Sequence, residues 1–306
     1  MTQSLEYFET GLARFRTVRE MLLAEWSSDS NASTPIETDS SIRTTEYSIG
    51  DPSAGIILRR YYCSARPKAV IVWVHGGAFV VGDLDMAEAD WVARSLCQSG
   101  FEVYSVDYRK VSSDLHFPAP NDDVYSAWKL ALAEANALSV PIHLGGASAG
   151  GAFAASLVVR LDNLNETLPS SLALVYPVLH PELPEPTEEQ RLASAEIPER
   201  AVFDEQVIAG MHFMYAGSAE NLQNPEAFAG LADLKRFPRT LILNSEHDML
   251  RPSGEKFGQQ LAAAGVSVQV KTEIGSRHGQ LNEPNNPSGQ SSLRRLLSWF
   301  EESLPA

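Results

Sequence analysis

The stretch Leu144-Gly145-Gly146-Ala147-Ser148-Ala149-Gly150-Gly151 decides the fold. It follows a short apolar run, opens a helix-like run and contains the pattern Gly-x-Ser-x-Gly. That pattern predicts a sharp turn from a strand into a helix, in which small residues at 146 and 150 let the two elements approach closely. We expect the Ser148 hydroxyl to stand exposed above the sheet edge, beside the N–H of Ala149 at the helix N-terminus. A glycine-rich turn without chemistry and a phosphate-binding loop are the alternatives at this point.

Short apolar runs alternate with helix-like segments around this stretch, from residue 69 to the end of the chain. The alternation predicts a parallel sheet with helices on both faces. The predicted strands are 69–74, 101–106, 142–144, 172–176, 240–243 and 266–270. The predicted helices are 85–98, 121–138, 149–161, 254–264 and 290–304. Residues 43–49 and 56–62 alternate with period two and predict a hairpin joined by Gly50-Asp51-Pro52-Ser53.

Two segments do not fit this alternation and predict a cap over the carboxyl edge of the sheet. Residues 5–26 carry apolar side chains at helical spacing and are followed by a polar, loop-like segment. The interval between 176 and 240 is far longer than an ordinary crossover and contains a helix-like run at 203–215. We therefore predict a cap helix and loop at 1–40, a first core segment at 41–180, a cap insertion at 181–235 and a second core segment at 236–306. The bulky cap residues available to pack together or to face a ligand are Phe8, Phe15, Trp26, Phe203, Met211, Phe213, Met214 and Tyr215.

Composition restricts the class of partner. The chain has 306 residues and a formal net charge of −15, which disfavours nucleic acid and anionic membrane surfaces as partners. No apolar run reaches the length of a membrane span, and the acidic start of the chain lacks the features of a signal peptide. Cys63 and Cys97 lack the spacing of a metal site and are expected to be buried free thiols. We expect a cytoplasmic protein without a bound metal, and the sequence is compatible with a homodimer.

The segment Val74-His75-Gly76-Gly77-Ala78-Phe79 directly follows the most apolar predicted strand. Adjacent small residues at this place allow backbone N–H groups to point into a cleft, where they stabilise a developing negative charge on oxygen. A purely structural turn is the alternative. We expect His75 and Gly76 to support the loop, His75 through hydrogen bonding rather than as a base. The N–H groups that we assign to an oxyanion hole are those of Gly77, Ala78 and Ala149.

A serine nucleophile needs a base that takes its proton and a carboxylate that holds the base in the right tautomer. Among seven histidines, His278 is the candidate base because it lies just after the last predicted strand, at the same sheet edge as Ser148. Asp248 follows the preceding strand and is the candidate acid. Glu246 is the second candidate, and either carboxylate could instead cap the next helix. The histidines for which we expect structural roles are His116, His143, His180 and His212.

Taken together, these residues resemble the hormone-sensitive-lipase-like group of α/β-hydrolases, which includes bacterial carboxylesterases and acetyl hydrolases. The order Ser148, Asp248, His278 is the nucleophile, acid and base order of that fold. The resemblance extends from the predicted hairpin to the last helix. The motifs that carry it are His75-Gly76-Gly77-Ala78-Phe79, Asp107-Tyr108-Arg109, His116-Phe117-Pro118-Ala119-Pro120 with Asp123, Gly146-Ala147-Ser148-Ala149-Gly150-Gly151, Glu246-His247-Asp248-Met249-Leu250-Arg251 and His278-Gly279.

Four positions depart from the pattern of that group. Ala78 stands where a third glycine is usual, so its N–H is kept while a methyl group narrows the pocket. Ala147 replaces the usual aspartate before the serine, which removes a carboxylate from this turn. Residues 111–116 form a segment one residue longer than usual, and Gln280 follows Gly279 where an aromatic residue is common. None of these changes removes a member of the predicted triad.

The resemblance implies an α/β-hydrolase fold, with a mostly parallel eight-stranded sheet flanked by helices and a helical cap. It also implies a serine carboxylesterase that works through an acyl-enzyme, without a metal or an organic cofactor, on a small-molecule ester. Bulky cap residues and Ala78 favour short acyl groups. The same residues serve an amidase, a lactonase or a deacylase of natural-product esters. A non-catalytic small-molecule receptor on the same fold is the alternative from another class.

Overall fold

A computed structural model describes residues 4–29, 41–50, 55–63, 66–195, 197 and 203–305. The strands are β1 Arg43–Ser48, β2 Ile57–Tyr62, β3 Val70–Val74, β4 Glu102–Asp107, β5 Ile142–Ala147, β6 Leu172–Val175, β7 Thr240–His247 and β8 Val268–Arg277. The α-helices are α1 Leu5–Asp29, α2 Ala87–Gln98, α3 Ala119–Leu138, α4 Ala149–Asn163, α5 Glu188–Ser194, α6 Glu205–Ala216, α7 Arg251–Ala263 and α8 Pro287–Glu302. Short 3-10 helices lie at Asn221–Gln223, Ala229–Leu231 and Gln280–Asn282.

The eight strands form one sheet in the order β1-β2-β4-β3-β5-β6-β7-β8. β1 and β2 pair antiparallel, as do β2 and β4, and every other neighbouring pair is parallel. Because parallel strands share one direction, the loops after β3, β5, β7 and β8 all leave the sheet at the same carboxyl edge. This is the mostly parallel eight-stranded sheet that the resemblance implies.

Two hydrophobic clusters cover the two faces of the sheet, and successive residues of β3 alternate between them. Val70, Val72 and Val74 belong to the cluster that packs against α3, α4 and α7. Ile71 and Trp73 belong to the cluster that packs against α2 and α8. All five residues are fully buried, as expected for a parallel strand that is covered on both faces.

β7 and β8, like β5, extend several residues further than their apolar runs predict. β7 continues to His247 and β8 to Arg277, whereas the apolar runs end at 243 and 270. β8 lies at the edge of the sheet, where alternate side chains face solvent, so its last residues are polar and give no hydrophobic signal. As a result, Asp248 and His278 follow their strands directly.

Among the α-helices of the described residues, α5 is the one that the sequence did not predict. α5 is only seven residues long, and its N-terminus carries a capping box between Thr187 and Gln190. The side chain of each of these residues accepts a hydrogen bond from the backbone N–H of the other. The pattern Thr-x-x-Gln was therefore the available signal, and it was obscured by the prolines and acidic residues before it.

The described cap elements are held together by a close crossing of α1 and α6. A Cβ atom built on Gly11 would lie 2.1 Å from the Gln206 carbonyl oxygen, and one on Gly210 would lie 2.0 Å from the Gly11 carbonyl carbon. Only glycine permits this approach. At the surface, the Arg14 guanidinium donates to the Asp204 carboxylate at 2.5 Å.

Some predictions concern residues outside the described ranges. Of the turn predicted at 50–53 only Gly50 is described, with a φ of 69°, and most of the polar segment before β1 is not described. Among the described helices, none is both long enough and apolar enough to span a bilayer. Cys97 is buried, but Cys63 is only half-buried, and their Sγ atoms lie 3.4 Å apart as free thiols. The expectation of two buried thiols is thus wrong for Cys63, because β2 ends at the protein surface.

Candidate active site

Ser148 lies in the turn between β5 and α4, with a φ of 54° and a ψ of −121°. Its N–H donates to the Val175 carbonyl at 2.9 Å, which fixes the turn to β6. A Cβ atom on Gly150 would lie 2.1 Å from the Val74 carbonyl oxygen, and one on Gly146 would lie 2.3 Å from the Gly150 carbonyl oxygen. The two glycines of the motif are therefore required by backbone contacts, as the pattern predicts.

The structure brings Ser148, His278 and Asp248 together. Ser148 Oγ lies 2.9 Å from His278 Nε2, and His278 Nδ1 lies 2.7 Å from Asp248 Oδ2. With the proton on Nδ1, the imidazole donates to the carboxylate and accepts from the serine hydroxyl, which is the arrangement that a general base requires. Asp248 Oδ1 accepts a further hydrogen bond from the Leu250 N–H at 2.9 Å. The carboxylate is thus held on both oxygens.

Ser148 is less accessible than the sequence predicts. Its exposed fraction is 8%, whereas the motif alone predicts an exposed hydroxyl. The difference arises because cap side chains, including Phe203 and Met211, line the same cavity as the serine.

The loop after β3 has the backbone geometry of an anion-binding turn. Gly77, Ala78 and Phe79 have φ angles of 114°, 50° and 67°. Positive φ at two consecutive non-glycine residues is rare and concentrates at functional sites. Within the described residues, the N–H groups of Gly77 and Ala78 donate to no protein acceptor, and both residues line the cavity beside Ala149. Ala149 is the first residue of α4, where the N–H has no partner within the helix.

His75 and Gly76 lie beneath this loop. The His75 ring is fully buried, and its Nδ1 lies 2.7 Å from the Gly76 carbonyl oxygen, to which Tyr108 Oη also donates at 2.8 Å. Burial lowers the pKa of His75. The ring is therefore neutral, and it contacts the loop rather than Ser148.

The other candidate acid and base residues are engaged elsewhere. Glu246 Oε2 accepts a hydrogen bond from the Gly275 N–H at 2.6 Å. The side chains of four further histidines contact carbonyl, hydroxyl or amide oxygens outside the triad. These residues are His116, His143, His180 and His212.

Sequence reasoning missed Glu88 and Tyr176. Glu88 is 1% exposed, lines the cavity and accepts hydrogen bonds from the Gly76 N–H and from Tyr176 Oη, each at 2.5 Å. The Tyr176 ring lies 4.8 Å from the His278 ring, centroid to centroid. An acidic residue in the first turn of a helix is common for electrostatic reasons, so Glu88 gave no distinct signal. Tyr176 directly follows β6, and its place at the carboxyl edge was the available signal.

The cavity above Ser148 has a volume of about 250 Å³ and is smaller than most ligand pockets. Of the bulky cap residues, Phe203 and Met211 line it, together with Ile208. Phe8 and Phe213 pack against each other, with ring centroids 6.4 Å apart. Three others belong to the hydrophobic core without lining the cavity: Phe15, Met214 and Tyr215. Trp26 packs against the same core.

Comparison with known proteins places the chain in a family. Residues 71–282 match the family described as alpha/beta hydrolase fold. Esterase LipI of Mycobacterium tuberculosis is 30% identical over 252 residues, which cover 78% of this chain and 75% of that protein. The ethyl acetate hydrolase of Pseudomonas putida is 29% identical over 216 residues, which cover 69% of this chain and 65% of that protein. A solved structure of the Pyrobaculum calidifontis esterase matches with a TM-score of 0.77 and 26% identity, over 95% of this chain and 94% of that one. The chain therefore belongs to the α/β-hydrolase family, in the hormone-sensitive-lipase-like group that its motifs resemble.

Proposed function

We propose that the protein is a serine carboxylesterase that hydrolyses esters of short-chain acids through an acyl-enzyme intermediate. The observation that carries the proposal is the chain of contacts from Ser148 Oγ through His278 to Asp248, at the base of a small cavity. The names of the relatives, among them an esterase and an ethyl acetate hydrolase, support the same reaction class.

The reaction begins when Ser148 Oγ attacks the ester carbonyl carbon and His278 Nε2 takes its proton. The carbonyl oxygen becomes an oxyanion that the N–H groups of Gly77, Ala78 and Ala149 stabilise. Each such donor typically lowers the barrier by about 3 kcal/mol. His278 then gives its proton to the leaving alcohol, while Asp248 stabilises the imidazolium ion.

Water completes the cycle. His278 removes a proton from a water molecule that attacks the acyl carbon, and a second oxyanion forms in the same place. When that intermediate collapses, Ser148 regains its proton from the imidazolium and the carboxylic acid leaves. Every proton in this sequence is carried by residues of the chain, so the mechanism needs neither a metal nor an organic cofactor.

The expected preference for the length of the acyl chain follows from the residues that line the cavity. Phe203, Ile208 and Met211 line the cavity together with Ser148, and so does Ala78. A pocket of about 250 Å³ lies below the usual range for drug-sized ligands. One poorly fitting methylene group changes the difference in activation free energy between two substrates by roughly 1–3 kcal/mol. We therefore expect acetyl to butyryl esters to react far faster than decanoyl esters.

A panel of p-nitrophenyl esters from acetyl to decanoyl, with the matching p-nitroanilides, tests the proposal. The expected result is ester hydrolysis that is fastest between two and four carbons, with little anilide hydrolysis. A rate maximum at ten or more carbons would contradict the short-chain part. Faster anilide than ester hydrolysis would assign the site to an amidase, and ligand binding without turnover of any substrate would assign it to a receptor.

We also propose that residues 1–40 and 181–235 act as one cap and that the protein works in the cytoplasm. The close crossing of α1 and α6 at Gly11 and Gly210 supports the first proposal. The sequence contains only two cysteines, Cys63 and Cys97, and hence no disulfide framework, which fits a reducing compartment and supports the second. Fractionation of the native cells with antibody detection tests the location, and recovery outside the cytoplasmic fraction would contradict it.

A further inference from the structure

We propose that Glu88 is a positioning residue that holds the oxyanion loop at a fixed place relative to the loop of His278. This inference rests on the proposed esterase function and adds a residue that none of the recognised motifs contains. The observation behind it is a buried carboxylate, outside the triad, on which hydrogen bonds from three separate parts of the site converge.

The first link runs to the oxyanion loop. The Gly76 N–H donates to Glu88 Oε1 at 2.5 Å, so this N–H points away from the reacting oxygen. The next two residues, Gly77 and Ala78, line the cavity. Glu88 therefore fixes the first peptide of the loop, and the two residues that follow line the cavity with N–H groups that donate to no acceptor among the described residues.

The second link runs to the base. Tyr176 Oη donates to Glu88 Oε2 at 2.5 Å, and the Tyr176 ring lies 4.8 Å from the His278 ring. Burial and the nearby Glu88 charge hold the pKa of Tyr176 well above its usual value, so the phenol remains a donor.

The third link runs to the segment after His278. Asn282 Nδ2 donates to Glu88 Oε2 at 3.4 Å, and the Glu88 N–H donates to Asn282 Oδ1 at 3.2 Å. Every partner of the carboxylate is a donor, which suits an ionised carboxylate because it only accepts hydrogen bonds. Loss of the charge would leave these buried donors poorly paired. The oxyanion loop and the His278 loop would then move independently.

The residue before Ser148 also bears on the role of Glu88. The residue before the serine is alanine here, whereas the related family usually has an aspartate, so the turn itself carries no carboxylate. The Ala147 carbonyl oxygen and the Ser148 Cβ would lie 3.1 and 2.9 Å from a Cβ built on Gly76, beside Glu88 Oε1 at 2.6 Å. Gly76 therefore lies between the Glu88 carboxylate and the turn that carries Ser148.

The test compares Glu88→Gln with Glu102→Gln. Glu102 is also a buried carboxylate, 3% exposed, but it pairs with Arg60 at the start of β4, away from the carboxyl edge. On p-nitrophenyl butyrate, we expect Glu88→Gln to lower kcat by about 10²-fold with little change in KM, because a misplaced oxyanion donor affects the transition state more than the bound substrate. Glu102→Gln is expected to lower the melting temperature and to leave kcat near the wild-type value.

A transition-state analogue separates positioning from a purely structural role. An alkyl trifluoromethyl ketone forms a tetrahedral adduct with Ser148, and its oxygen occupies the oxyanion hole, whereas butyrate binds without forming an oxyanion. For Glu88→Gln we expect the inhibition constant of the ketone to rise by about the same factor as kcat falls, while that of butyrate stays constant. An equal loss for both ligands, or a kcat within about threefold of wild type, would overturn the proposal.

Two further measurements keep the outcome decisive. If Glu88→Gln does not fold, Tyr176→Phe removes one link but keeps the ring, and we expect a loss of about tenfold in kcat by the same reasoning. An unchanged kcat in that variant would contradict the second link.

The rate at which a fluorophosphonate probe labels Ser148 is measured in parallel. If the wild-type protein hydrolyses no ester, the proposed function fails, and slower labelling of Glu88→Gln than of wild type still supports the positioning role.

Discussion

The catalytic edge and the cap enclose the same cavity but are built in different ways. At the catalytic edge, which comprises the loops carrying Gly77, Ser148, Asp248 and His278, atoms are held by backbone contacts, positive φ angles and hydrogen bonds to buried carboxylates. In the cap, side chains pack between two helices that cross at glycines, and the side chains of the Arg14–Asp204 ion pair are 42% and 37% exposed. The difference suggests that the edge determines the rate of the chemistry, whereas the cap determines which acyl group fits.

The strongest test of this division of roles between the catalytic edge and the cap is the substitution Ser148→Ala. Loss of the nucleophile is expected to reduce ester hydrolysis by at least about 10⁴-fold. Alanine removes only the hydroxyl and leaves the turn intact, so circular dichroism and the melting temperature should match those of wild type. Turnover of p-nitrophenyl acetate above a few per cent of wild type would show that Ser148 is not the nucleophile.

The next test compares two carboxylates on one segment. Asp248→Asn is expected to lower kcat by about 10³- to 10⁴-fold because the amide favours the wrong histidine tautomer. Glu246→Gln is the matched control, since Glu246 contacts the Gly275 N–H rather than His278. Steady-state kinetics of both variants decide the assignment, and a greater loss in Glu246→Gln would reverse it.

A cap substitution should alter selectivity rather than rate. Phe203 lines the cavity, whereas Phe213 is partly buried against Phe8. Phe203→Ala is expected to raise kcat/KM for the octanoyl ester relative to the butyryl ester by about tenfold, because each accommodated methylene contributes to discrimination. Phe213→Ala should leave that ratio unchanged. If both variants lower kcat for every ester alike, the cap takes part in the chemistry and the division fails.

Buried histidines provide the smallest test, with one in the central sheet and one in the cap. Burial lowers the pKa of His143 in β5 and of His212 in α6 to about 4. Each residue is neutral in both states above pH 6.5, whereas between pH 6.5 and 4 the unfolded chain takes up a proton that the folded chain does not. The free energy of unfolding should therefore fall with decreasing pH by up to about 1.4 kcal/mol per pH unit for each histidine.

Urea unfolding at pH 7 and pH 5 measures this effect in His143→Gln and His212→Gln. Between pH 7 and pH 5, the free energy of unfolding of each variant is expected to fall by about 2 kcal/mol less than that of wild type. If the cap unfolds together with the sheet, both substitutions act on one transition. An effect of His212→Gln on a separate, earlier transition would show that the cap is an independent folding unit, and no effect of either would contradict the buried neutral state.

Glu246 and Asp248 illustrate a feature of the site that could not be predicted from the sequence alone. Glu246 and Asp248 are two residues apart, so in a regular strand their side chains would point to the same face. The pairing of β7 with β8 shifts register between Ser245 and His247. Such irregularities change the direction of neighbouring side chains, and here Asp248 meets His278 while Glu246 turns to Gly275. This shift depends on the partner strand and left no pattern in the sequence.

The sequence by itself determined the order along the chain of the strands and of every α-helix described except α5, the turn at Ser148 and the set of loops at the carboxyl edge. These features depend on local periodicity and on small residues where backbones meet, and both are visible in a single segment. Only the tertiary structure decided which carboxylate contacts His278, that Glu88 joins two loops, and that Phe203 rather than Phe213 lines the cavity. Those outcomes depend on contacts between residues far apart in the chain, whose register and packing no single segment contains.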